Sequence, residues 1–176
     1  MATTAMSAFG YRDILVREGI HPPITMIVNS AGVYPGHCLT AKGETFPDVS
    51  VADAIADSVV GVAGLLENQD IGTVYSTDDE IPVYFTGHGA IVKVYLACDA
   101  GGVVIGEIMV AQTVEALGHV EPLHRALKDF IDDGTGGTGG TILATQITHF
   151  FSLVGRAMET TASLANGTPL KVILSI

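Results

Sequence analysis

A metal or acid–base site in this chain would have to start from its histidines, His21, His37, His88, His119, His124 and His149. Two histidines on one helical face need a spacing of three or four residues. No pair has that spacing, and His119 and His124 come nearest. A site assembled by the fold stays open, and histidines at turns or on the surface are the simpler reading. Asp78, Asp79 and Glu80 could attract calcium, but the Gly and distal Glu of a calcium loop are missing, so a solvated loop is expected. The run GTGGTGG from Gly134 to Gly140 contains G-x-G-x-x-G. A dinucleotide site needs a strand before that motif and a helix after it; here a helix-like segment precedes and Thr141-Ile142-Leu143-Ala144 follows. No Gly-Lys-Ser/Thr step forms a P-loop, and no G-x-S-x-G elbow is present. Ser30 and Cys38 sit near turns, and no nucleophile motif pairs either with a base, although a dispersed triad would leave no such signal. Asn166-Gly167-Thr168 has the form of a glycosylation site and reads as an Asn-Gly turn before the last strand. The expectation is no catalytic, metal or cofactor-binding residue, no cofactor, and no enzymatic activity.

The elements that would position these residues are mostly short strands. Ile24–Val28, His37–Thr40, Ser58–Ala63, Ile81–Phe85 and Ala90–Leu96 are β-branched or apolar runs separated by Gly, Pro and Asp turns, a rhythm typical of barrels and sandwiches. Leu123, Ala126, Leu127, Phe130 and Ile131 recur at helical spacing, which predicts one α-helix over 121–133, with Pro122 in its first turn and Gly134 as its stop. Asp129, Asp132 and Asp133 oppose its dipole, so packing must hold it. A flexible glycine loop, 134–140, follows. Pro22-Pro23 sets off residues 1–23 as an N-terminal arm, a short helix or an extended segment. Its Phe9, Tyr11, Ile14, Leu15 and Val16 are the candidate partner-binding residues, because apolar content outside a strand pattern calls for something to dock on.

Hydrophobic residues make up 48% of the 176 residues and charged ones 15%, with a net charge of −11 from 19 acidic and 8 basic residues. Such a chain buries a core. Between Glu18 and Val92 the only Lys or Arg is Lys42. Without a basic patch, neither nucleic acid nor an anionic membrane is an expected partner. No stretch reaches the ~18 apolar residues that span a bilayer, and no secretory signal is expected. Cys38 and Cys98 make no disulfide framework; a single bridge between them stays open. A surface so poor in charge points to coverage by neighbouring proteins, the alternative being a monomer with a Gly-, Ala- and Thr-rich exterior.

The two halves, 24–100 and 101–176, echo one another. GHCLTAKGETFPDV from Gly36, VVGVAGLL from Val59 and IPVYFTGHGAIVKVYL from Ile81 are answered by GEIMVAQTVEALGHVEPL from Gly106, LVGRAMET from Leu153 and GTPLKVILSI from Gly167. Each V-G-x-A step places a glycine inside a strand, the mark of a bulge or a close backbone approach. Both an internal duplication and two unrelated β-meanders fit, in one domain or in two lobes. The fold class expected is therefore mainly β: small antiparallel barrel or sandwich lobes with one inserted helix and an N-terminal arm.

The order PGHCLTAKG, VVGVAG, IPVYFTGHGAIVKVYL and VGRAMETTASLANGTPLKVIL, spanning Val33 to Ile176, resembles the capsid decoration (cement) proteins of tailed viruses. The resemblance implies a structural protein on the outer surface of an icosahedral virion, contacting the major capsid protein and itself, with a homotrimer favoured. It would stabilise the shell by clamping neighbouring capsid subunits, and the arm would order on the shell or on a neighbour's edge strand. The segment Glu121 to Gly140 departs from small members of that family. A small β-barrel ligand-binding protein or enzyme, and a tail or head-fibre subunit, are the other readings.

Overall fold

The computed structural model describes residues 14–17, 19–41, 44–53, 57–67, 69–70, 72–97, 102–111, 117–123, 152–161 and 167–175. They form eleven strands: β1 (Leu15–Arg17), β2 (Ile24–Val28), β3 (Cys38–Thr40), β4 (Asp48–Val51), β5 (Val59–Ala63), β6 (Glu80–Phe85), β7 (Ile91–Leu96), β8 (Ile108–Ala111), β9 (Val120–Pro122), β10 (Leu153–Ala157) and β11 (Thr168–Ile173). Strands β2 to β6 close into one barrel in the order β2-β4-β3-β5-β6. Strands β7 to β11 run β7-β11-β10-β8-β9, and the β7–β9 pairing closes a second. The expected β-rich architecture is present, and among the described residues no helix is long and apolar enough to cross a membrane.

The barrels share one topology. In each, the first strand runs parallel to the third and every other pairing is antiparallel. The registers coincide as well. Leu39 faces Gly61 across β3–β5 as Met109 faces Gly155 across β8–β10. Met26 faces Ile81 as Val94 faces Leu170, and Ala63 faces Val83 as Ala157 faces Val172. The positions so matched are the interior ones: Met26 and Val94, Val28 and Leu96, Leu39 and Met109, Val49 and Val120, Val83 and Val172 are all buried. The chain is an internal duplication in its geometry.

The repeat has a physical cause at the V-G-x-A steps. A five-stranded barrel has a tight radius, so its strands must bend sharply, and bulges and strand glycines supply the bend. In both barrels the ladder skips one residue there, Val60 in β5 and Val154 in β10. A Cβ on Gly61 would sit 2.5 Å from the Tyr84 carbonyl oxygen, and one on Gly155 closer still to that of Ile173. The close approach expected of these glycines is what closes each barrel.

Three expectations change. IVKVYL and LKVILSI, matched in the sequence as corresponding closing strands, are hydrogen-bonded neighbours, Lys93 facing Lys171. Strand β7 opens the second barrel, so the counterpart of β11 is β6. For the same reason the chain passes between barrels at residues 86–90, not near residue 100. Glu121 and Pro122, expected to start the helix, end β9, where Val110 and Met109 pair with them; residues 124–140, with the rest of that helix and the glycine loop, lie outside the described residues.

One apolar cluster fills the first barrel, around Met26, Leu39, Tyr75 and Ile81. The other fills the second barrel and continues into the first through Cys38, Ala52, Val59 and Val62. The two barrels therefore meet over a shared apolar seam. Val59 and Cys38 are the first barrel's contribution from β5 and β3, the strands that lie against β10 and the β8–β9 turn.

Candidate functional site

The seam is where the fold gathers reactive side chains. The turn Tyr34-Pro35-Gly36-His37 of the first barrel lies on β7 of the second. Gly36 takes φ +89°, which only glycine adopts freely, and a Cβ there would meet the Tyr95 ring at 2.8 Å and the Ile14 side chain at 3.3 Å. From the other side the Leu117-Gly118 turn hydrogen-bonds to the first barrel: Cys38 N donates to the Gly118 carbonyl at 2.7 Å. These turns bring four rings together. The His37 ring centroid lies 5.2 Å from that of Tyr34, 5.5 Å from His119 and 6.2 Å from Tyr95, and Tyr95 lies 5.5 Å from His119.

His37 accepts a hydrogen bond at Nδ1 from the Tyr34 amide, 3.4 Å, which requires that nitrogen to be unprotonated. Burial, reinforced by His119, depresses its pKa to about 3, so His37 is neutral at pH 7 and a poor proton acceptor. Burial raises the Cys38 thiol to about 12, and Cys38 is free. It is a small core residue, not a nucleophile. Burial also pushes the Tyr95 hydroxyl up. Tyr75, deep in the first barrel, is pushed up to about 12 by burial and donates to the Gly64 carbonyl at 2.8 Å.

His37 also lines a cavity of about 500 Å³, with Ser30, Glu44, Asp53 and Asp57 of the first barrel and Leu117 of the second among its walls. The carboxylates brace loops. Glu44 accepts from Ser50 Oγ at 2.8 Å and from Asn29 Nδ2, and Asp57 accepts from the Asp53 amide at 3.2 Å. Among the described residues no group of three or more His, Cys, Asp or Glu side chains could hold a metal ion.

The sequence separated the histidines, and the fold pairs the four that are described. His37 meets His119 across the seam, and His21 meets His88 with ring centroids 5.0 Å apart where the chain crosses between barrels. One signal was available: Gly36-His37, Gly87-His88 and Gly118-His119 are each a glycine of positive φ followed by a histidine. The acidic run is the solvated turn expected, with Asp79 accepting from the Ser76 amide at 2.7 Å. Gly167, φ +85°, makes the turn into β11.

Of the candidate partner-binding residues, Phe9 and Tyr11 lie outside the described residues. Ile14 directly precedes β1, and Leu15 and Val16 belong to it; β1 pairs antiparallel with β7, Leu15 facing Val92. Ile14 is buried against Tyr95 and Leu15 packs on the second core, so both are used within the chain; Val16 is exposed. The described end of the arm pairs within its own chain, on β7, which β11 and β9 also flank. No protein-family model matches this chain, and neither does any curated protein.

Proposed function

We propose that the chain is a structural virion protein that binds the outside of an assembled icosahedral capsid and stabilises it by clamping neighbouring subunits of the major capsid protein. The observation that carries the contact-making part is the distribution of exposed apolar side chains. Ile20, Ile24, Phe46, Val104, Ile105 and Met158 are among the large apolar side chains left exposed by the well-packed barrels. Where exposed apolar side chains gather on one face they mark a protein interface. The capsid itself comes from the ordered motifs, which now fall on the repeated elements: the Gly36 turn and β3, the β5 glycine step, β6, and then β10 and β11. Binding only the assembled shell would stabilise it by mass action, multiplied around its symmetry. The protein acts as a homo-oligomer, a trimer being favoured, and performs no catalysis: its buried histidine is neutral and its cavity carboxylates brace loops.

Incubating the purified protein with undecorated shells tests this directly. Saturable co-sedimentation and a rise in shell melting temperature are expected; no binding at any ratio would sink the proposal. Imaging of particles separates shell decoration from a tail or head-fibre location. The cavity beside His37 supports a second reading, a small-ligand binder. Its size suits a small molecule, and a ligand that shifts the melting temperature of the wild type but not of Thr40→Phe would establish it.

A further inference from the structure

The duplication makes a specific demand. Each barrel carries the same two outer faces: one built on the turn before its second strand, the other on its first strand and the loop leading into its third. Within the chain one such pair is joined. The first barrel's turn face seats on the second barrel's strand face: Gly36 against Lys93 and Tyr95 of β7, with Tyr34 and Leu65 packed around Ile14 and Tyr95. The complementary pair, the second barrel's turn face and the first barrel's strand face, is left unjoined.

The unjoined turn face is apolar where the joined one is. Matching the ladders, Val104 stands where Tyr34 stands and Ile105 where Pro35 stands. The two turns are built alike: Gly36 N donates to the Ala63 carbonyl at 2.7 Å and Gly106 N to that of Ala157 at 2.8 Å, with φ +89° and +90°. Yet Pro35 is buried, whereas Val104 and Ile105 are 54% and 59% exposed. A Cβ on Gly106 would meet nothing within 4 Å. Met158 is exposed beside this turn. On the opposite face, Thr25 and Ile27 of β2 correspond to Lys93 and Tyr95, and Phe46 corresponds to Leu117 in the seam-forming turn, which is itself 48% exposed; Phe46 is 72% exposed, and Ile24, in the register place of the core residue Val92, is 43% exposed at the start of β2. Charges are complementary at the flanks. Arg156, in the place of Val62, is exposed on the turn face, while Asp48 and Glu80 pair on either side of Ile27 on the strand face. Pro22-Pro23 lacks amide donors at the edge leading into β2, so a partner is met there by side chains rather than by an added strand.

We infer that a second copy of this chain occupies these faces: the Val104-Ile105-Gly106 turn of one copy seats on the β2 and Phe46 face of the next, repeating between chains the contact that joins the barrels within one. A contact between two different patches is head-to-tail, so each copy both gives and receives it and the assembly is a ring or a chain of barrels. The inference rests on the self-association in the proposed function and not on the capsid, so it is tested without shells.

Wild type, Ile105→Asp and Phe46→Asp are compared by light scattering and native mass spectrometry over a range of concentration. Both substitutions fall at exposed positions, and unchanged circular dichroism confirms that each variant is folded. The wild type is expected to be an oligomer, and each variant to lose self-association by about 100-fold or more, because a carboxylate would be buried against apolar groups. Mixing the two variants leaves one intact contact, from the turn of Phe46→Asp to the strand face of Ile105→Asp, and is expected to give one-to-one dimers. A monomeric wild type at about 100 μM, a weakness beyond what a specific interface allows, would overturn the inference. So would a wild-type oligomer that both variants retain. An oligomer that falls apart as expected while shells remain unbound would leave this contact standing and remove only the capsid reading.

Discussion

The two barrels have the same skeleton and different skins. The ladders, the bulges at Val60 and Val154, the turn hydrogen bonds of Gly36 and Gly106, and the isolated bridges Val33–Tyr75 and Val103–Thr161 all recur. What differs is the chemistry at matched outer positions. Gly64 and Met158 donate equivalent backbone bonds to Pro82 and Lys171, but beside them Leu65 packs into the seam while Glu159 forms an ion pair with Lys171 at 3.0 Å. The side chain that caps the turn is His37 in one barrel, on the Tyr34 amide, and Glu107 in the other, on the Val104 amide. Interior positions are dictated by closing a small barrel and change little. Outer positions record what each barrel lies against, so a residue that breaks the repeat reports an interface.

The comparison is broken most severely at the glycines on which both barrels depend. Gly155→Ala and Gly61→Ala each place a methyl group against a backbone carbonyl that cannot move without unpairing a strand. Each is expected to cost more than about 3 kcal/mol, in the range reserved for overpacking and backbone strain. Urea denaturation of the two variants checks this, and the closer approach at Gly155 makes it the worse of the two. A loss below about 1 kcal/mol in either would mean that glycine is not what lets its barrel close.

His37 gives the next largest effect, and it belongs to one barrel only. Folded His37 binds a proton only near pH 3, whereas in the unfolded chain it does so near 6.5. Between those values unfolding takes up a proton. The contribution is therefore complete above pH 6.5 and drains away as the pH falls toward 3, by an amount on the order of a few kcal/mol. Carboxylates titrate in part of the same window, so the measurement is the difference between wild type and His37→Gln. The wild type should lose stability more steeply from pH 6.5 down to 4, and parallel slopes would remove the buried neutral histidine.

Gly36 and Gly106 isolate the seam itself. Both hold φ near +90°, so a Gly→Ala change carries the same backbone penalty in each, about 1–2 kcal/mol. Only at Gly36 does the new methyl strike the Tyr95 ring. Gly36→Ala should therefore be worse than Gly106→Ala by a further ~1–2 kcal/mol. Equal losses would show that the turn sits loosely on β7.

Much of this architecture was legible in the residues, and its gaps have physical reasons. The β-branched runs ITMIV, VVGVA and IVKVYL announced β2, β5 and β7, and the V-G-x-A steps announced the bulges. Strand β4, DVSV, was missed because it is short, alternates with polar residues and follows turn formers. The parallel β2–β4 pairing leaves no mark in a local pattern. IVKVYL and LKVILSI look like repeat counterparts because adjacent strands of one sheet share a residue preference as readily as equivalent strands of two sheets do. Pro122 suits the first turn of a helix and also the end of a strand, and pairing with β8 decides between them. The histidine cluster was invisible because its members come from different barrels, 82 positions apart, and only the seam brings them together.

The smallest effect is the most exacting check on the repeat. Asp78 is the one described non-glycine residue with positive φ, +73°, and its amide donates to the Val28 carbonyl at 2.8 Å. The matched residue in the second barrel is Gly167, φ +85°, whose amide donates to the Leu96 carbonyl at 2.9 Å. One barrel has the residue suited to this backbone and the other has a tolerated substitute. Asp78→Gly relieves the left-handed strain while giving the unfolded chain more freedom, so a net gain of about 0.5 kcal/mol is expected. Removing one acidic charge from a chain at −11 acts in the same direction. Gly167→Asp should lose a comparable amount. If Asp78→Gly destabilised instead, the aspartate side chain would be stabilising the first barrel's turn in a way that the second barrel does without, and the two turns would be alike in shape but not in cause.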